Sequence, residues 1–103
     1  MIAYKDLYSF SKFLKNNFNL QYPVQIIRTT LPKDKDGECG LTNDKFIIKI
    51  KKSLPEYYSI DVLIHEYGHA LSWEKEKDQH GLEWGKAYSK IYRKFLEWIN
   101  GKN

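Results

Sequence analysis

The stretch His65-Glu66-Tyr67-Gly68-His69 constrains this chain more than any other. It contains two of the three histidines, with a carboxylate between them. On an α-helix, residues i and i+4 lie on one face, one turn apart. The two imidazoles can therefore bind one metal ion without distorting the backbone. Glu66 is rotated off that face, where a general base must stand to take a proton from a metal-activated water. The HExxH pattern predicts a helix here and a zinc-dependent hydrolase, most often a peptidase. The flanks agree with a helix: Val62, Leu63 and Ile64 precede the motif, and Ala70, Leu71 and Trp73 continue an apolar face. Gly68 is a poor helix former, so its place inside the motif predicts close packing against a neighbouring element. The bland alternative is a helix with two surface or core histidines and a salt-bridged Glu66.

A catalytic zinc takes three protein ligands and leaves a fourth position for water. The remaining histidine, His80, follows His69 by eleven positions. The polar segment from Trp73 to Gln79 reads as a loop long enough to carry the chain back. A metzincin pattern would need Gly at position 72 and His at position 75, where the chain has Ser72 and Lys75. A downstream carboxylate, Glu83 or Glu97, is the competing third ligand. Glu74 and Glu76 follow the motif too closely to fold back. His80 is preferred because imidazole is a common zinc ligand. Capping of the last helix is its alternative role.

HEYGHA, a short polar loop and then HGLEW resemble the SprT-like zinc metallopeptidases, whose pattern is HExxHA followed by HGxxF/W. Phe46 to Ile50 is similar to that family's strand before the active-site helix, and Lys52-Ser53-Leu54 to the link between them. The ending HGxEWGxAYxxIYR resembles small phage-encoded members. The resemblance covers residues 40 to 98, and its specific part is residues 65 to 84. It implies His65, His69 and His80 as zinc ligands and Glu66 as catalytic base. It also implies a zincin-like fold with the HExxH helix central. Larger members carry cysteine zinc ribbons or DNA-binding regions, for which this chain has no counterpart.

With 103 residues, positions 1–103 read as a single minimal domain. Aromatic residues make up 16%, and large rings can fill a small core. The net charge of +4 fits nucleic-acid proximity, an acidic protein partner, or neither. Its densest group is Lys45, Lys49, Lys51 and Lys52. Lys45, Lys49 and Lys51 would share one strand face, where lysines discourage edge-to-edge association. No RNP motif or helix-turn-helix is evident. The single cysteine, Cys39, excludes an internal disulfide and a cysteine zinc knuckle. It reads as a small buried or edge-strand residue of a reducing compartment. Met1 to Asp6 lacks the apolar run of a signal peptide, and no stretch approaches membrane-spanning length. The expected location is cytoplasmic, or virion-associated if the chain is phage-encoded.

Along the chain, Leu7, Phe10, Phe13, Leu14 and Phe18 predict an amphipathic helix over residues 3–18. Val24 to Thr30 is a β-branched strand candidate. Leu31 to Gly37 reads as a loop. Glu38 to Leu41, a turn at Asn43-Asp44, and Lys45 to Lys51 form a hairpin. Ser53 is the expected N-cap of the motif helix, with Pro55 in its first turn and Glu56 at the capping-box position. That helix is expected to reach Trp73. A last helix is expected from Gly81 to Trp98, facing inward through Trp84, Ala87, Tyr88, Ile91, Phe95 and Trp98. The fold class is α+β: a small, mostly antiparallel sheet packed against three helices.

The expected mechanism is peptide hydrolysis with Glu66 as general base. An extended protein or peptide substrate would lie along the sheet edge near Glu38 to Leu41. Tyr88 or Tyr92 is an oxyanion candidate, with core packing as the alternative. Asp78 or Glu74 could orient a ligand histidine. The competing functional class is a non-catalytic, zinc-stabilised structural or interaction module, such as a phage particle component with assembly partners. A nucleic-acid-associated peptidase is a third reading.

Overall fold

A computed structural model of the chain describes residues 7–74 and 80–101. The α+β architecture is as expected. In order the elements are helix α1 (Leu7–Asn17), strands β1 (Val24–Thr29), β2 (Gly37–Thr42) and β3 (Lys45–Lys51), and helices α2 (Glu56–Leu71) and α3 (Leu82–Ile99). Residues 3–6 of the expected first helix lie outside the described residues. No helix among the described residues is long and apolar enough to cross a membrane.

The sheet is mixed, with strand order β1-β3-β2. The β2–β3 hairpin supplies its antiparallel pair, from Gly37 opposite Ile50 to Thr42 opposite Lys45. Its turn residues, Asn43 (φ 52°) and Asp44 (φ 58°), both have the positive φ that a two-residue hairpin needs for its twist to match the strands. β1 then joins the free side of β3 in parallel, Val24 opposite Phe46 through Thr29 opposite Lys51. β3 thus becomes the central strand, which suits its alternation. Phe46, Ile48 and Ile50 are buried under the helices. Lys45, Lys49 and Lys51 share the opposite face, as the period-two pattern predicts.

Helix α2 runs through the centre and touches the sheet, α1 and α3. Ile60, Leu63, Ile64 and Tyr67 are nearly solvent-free within the core cluster. Tyr67, inside the HExxH stretch, points away from the histidine side. Its hydroxyl donates to the Phe18 carbonyl just after α1, at 3.1 Å. α1 meets α3 through aromatic rings: Phe10 lies edge-on to Phe95 at 5.4 Å and against Trp98 at 4.9 Å.

The start of α2 departs from expectation. Pro55, not Ser53, is the N-cap, and no side chain caps the helix there. The residue before a proline is disfavoured in helical conformation, so Leu54 cannot belong to the first turn. Its carbonyl instead accepts from Arg28 Nη2 at 2.8 Å. Glu56, freed from a capping box, holds three elements together. One carboxylate oxygen accepts from Arg28 Nη1 of β1 at 2.6 Å. The other accepts from the backbone N–H of Leu7, in the first turn of α1, at 2.7 Å. A carboxylate at a helix N-terminus satisfies an otherwise unpaired N–H and complements the helix dipole. Glu56→Ala should lower the unfolding free energy by about 1–2 kcal/mol. Urea denaturation monitored by circular dichroism measures it, and an unchanged midpoint would remove Glu56 from this role.

Candidate metal centre

Two structural elements bring the three histidines together. His65 and His69 stand one turn apart on α2, with ring centroids 5.0 Å apart. His80 approaches from the segment just before α3. Its Nε2 lies 3.1 Å from His65 Nε2, and its ring centroid lies 4.8 Å from that of His69. One ligand nitrogen from each histidine lies within 4.8 Å of the others. Nitrogens bound to one cation at about 2.0–2.1 Å sit a little over 3 Å apart in tetrahedral geometry. The His65–His80 pair has about that separation, and the three imidazoles could hold a single metal ion.

Burial lowers the proton affinity of the two α2 histidines. His69 is pushed down to about 4 by burial, reinforced by the charges of His65 and His80. His65 moves down by burial and then by His80, with Asp61 opposing. At neutral pH both rings are therefore neutral and can offer lone pairs to a cation. Glu66 is only 8% exposed and lines the same cavity as the histidines. Burial pushes its carboxyl up to about 7; the Glu38 charge raises it further and Lys35 opposes.

Two close approaches set this geometry. A Cβ on Gly37 would come within 2.6 Å of Val62 Cγ1 and 3.3 Å of Glu66 Cγ. The missing side chain lets α2 settle on β2 with Glu66 beside the strand. A Cβ on Gly68 would meet Trp84 Nε1 at 3.1 Å, which is the close packing expected of that glycine. Trp84 belongs to α3. Its indole N–H donates to the His65 carbonyl at 3.2 Å. Its ring lies 5.0 Å from His65, 5.6 Å from His69 and 4.9 Å from His80. Trp84 therefore braces all three imidazoles. The sequence reading gave it an inward-facing position on the last helix and the final place in the HGxxF/W pattern, without a role towards the histidines. The available signal was its place four residues after His80, together with a glycine at position 68.

The other sequence candidates separate. Glu83 pairs with Lys86 at 3.7 Å and Glu97 with Lys94 at 3.3 Å, and neither belongs to the histidine cluster. Tyr88 stacks between Trp84, at 5.1 Å, and Tyr92, at 6.2 Å. Neither tyrosine is among the residues lining the cavity, so the geometry gives them a packing role. Glu74 is exposed at the turn after α2, and no contact brings it to a histidine ring. Asp78 lies outside the described residues. Cys39 forms part of the cavity wall on edge strand β2. Burial, followed by the Glu66 charge, pushes its thiol up to about 12, so it stays protonated and is a poor nucleophile.

No protein-family model matches the chain, and a search of curated proteins finds no match.

The raised Glu66 carboxyl would couple the binding of a cation to proton release. At pH 6 it holds its proton in the metal-free protein, whereas a nearby divalent cation favours the carboxylate. Metal binding at pH 6 should release about one more proton from the wild type than from Glu66→Gln. Titration calorimetry in two buffers of different ionisation heat measures the difference. Equal release from both proteins would uncouple Glu66 from the site.

Proposed function

We propose that this chain is a zinc-dependent peptidase of the SprT-like kind, hydrolysing peptide bonds with Glu66 as general base. One observation carries the reading: three histidine nitrogens within 4.8 Å of one another share a cavity with a buried carboxyl. Three imidazoles facing one cavity suit zinc. When bound, zinc supplies a Lewis acid that acidifies water and polarises a carbonyl.

The remaining work falls to the chain's own residues. Glu66 takes the proton of the attacking water and returns it to the leaving amine. Its carboxyl lies up at about 7 without a cation, and a nearby cation favours the carboxylate, the form a general base needs. Trp84 holds the His65 backbone and fixes the ring orientations. Edge strand β2 orients the substrate. The Lys51 N–H donates to the Asp36 carbonyl at 2.9 Å, which sets the alternation of the antiparallel ladder. In that register Gly37, Cys39 and Leu41 turn their backbone groups to the free edge. Gly37 and Cys39 border the cavity. An extended peptide adds there as a further strand, with its carbonyl beside Glu66 and the histidines.

The lysine face has no part in this reading. Its charge is partly balanced, with Lys49 3.7 Å from Glu38 and Lys51 4.0 Å from Asp36.

Glu66→Gln should reduce hydrolysis of an unfolded protein substrate at least about a hundredfold while the protein stays folded and retains its zinc. Elemental analysis and a fluorescent casein assay on the same preparation give both readings. Undiminished hydrolysis by this variant would overturn the mechanism.

A further inference from the structure

We propose that the cavity is a two-ended groove that selects extended peptides with a large apolar side chain towards Trp73 and a carboxylate towards Lys35. The proposal rests on the peptidase reading and adds to it the class of peptide bound. The cavity has a volume of about 420 Å³, far more room than one metal ion and a water require. Trp73 and Lys35 both line it, and they differ in chemistry.

Trp73 follows the C-terminus of α2 and is 38% exposed. It is nevertheless held in place. Its backbone N–H donates to the Ala70 carbonyl at 3.3 Å. Its indole lies edge-on to the buried Phe46 ring at 5.5 Å. A rigid, partly exposed indole gives an apolar side chain a flat surface with little ordering cost.

Lys35 precedes β2 and hydrogen-bonds Glu38 Oε1 at 3.0 Å. Lys49 reaches Oε2 of the same carboxylate at 3.7 Å. Two ammonium groups thus share one carboxylate. An incoming carboxylate can take Lys35 and leave Glu38 paired with Lys49. All three side chains are more than a third exposed, at 52%, 35% and 41% for Lys35, Glu38 and Lys49. An exchange among solvated ion pairs costs little.

One peptide can reach both ends. Lys35 is bound beside Gly37 and Glu38, while Trp73 packs on Phe46, the partner of Leu41 in the ladder. From Gly37 to Leu41 the strand covers about 13 Å. A peptide paired along this edge can therefore place one residue towards Lys35 and another towards Trp73.

The test uses zinc-loaded Glu66→Gln protein of residues 1–103 and fluorescence anisotropy. The probes are labelled octapeptides with one Phe and one Glu four residues apart, in both orders. Replacing Phe by Ala, or Glu by Lys, should weaken binding of the better order by about fivefold to tenfold. Adding Trp73→Ala should abolish the Phe effect. Adding Lys35→Glu should invert the Glu/Lys preference. The exposed Lys35 position keeps the proposal falsifiable even if Trp73→Ala fails to fold. Unchanged preferences in Lys35→Glu, or equal binding of all peptides, overturn the groove. Wild-type cleavage of the same peptides is read separately. Selective binding without cleavage supports the groove and removes the peptidase reading. Cleavage with unchanged preferences does the reverse.

Discussion

The close approach of α3 to α2 at Gly68 is the contact on which the histidine cluster depends. Spacing on one helix pairs His65 with His69, but nothing local holds His80 against them. That position is set where Trp84 fills the space a side chain at 68 would need, 3.1 Å from its Cβ. The indole hydrogen bond to the His65 carbonyl ties the same ring to the first histidine. His80, four residues earlier, is thereby delivered to 3.1 Å from His65 Nε2. Gly37 does the corresponding work on the other side, bringing α2 down onto β2 so that Glu66 stands beside the edge strand.

Burial then sets the chemistry of these groups. A buried ionised carboxylate and buried imidazolium ions are both costly. The low-cost state of the metal-free site is a neutral Glu66 beside neutral His65 and His69, which is the direction in which all three shift. A cation would reverse the preference at Glu66 without having to displace protons from those two rings. The same burial keeps Cys39 as a thiol, leaving Glu66 as the titratable group suited to proton transfer in the cavity.

Much of this was legible in the sequence because the signals are local. Apolar spacing located the helices to within a few residues, alternation located β3, and Asn43-Asp44 marked the hairpin. HExxH with one further histidine picked out the three rings that converge. What escaped reading depends on contacts between distant segments. The parallel docking of β1 is invisible along the chain. Ser53 looked like a cap, but Pro55 forbids a helical Leu54 and Arg28 claims its carbonyl. Glu56 fitted a capping box yet serves α1 and β1, 49 and 28 positions away. Trp84 fitted a core-facing pattern equally well as a core residue or as a brace, and only its neighbours distinguish the two.

The central claim is that one metal ion is held jointly by His65, His69 and His80. Zinc per chain should be measured after metal loading and dialysis, in the wild type and in a folded His80→Ala variant. The account predicts about one tightly held zinc in the wild type and markedly weaker retention in the variant. A folded wild type that retains no zinc, or a variant that binds it with unchanged affinity, would contradict it.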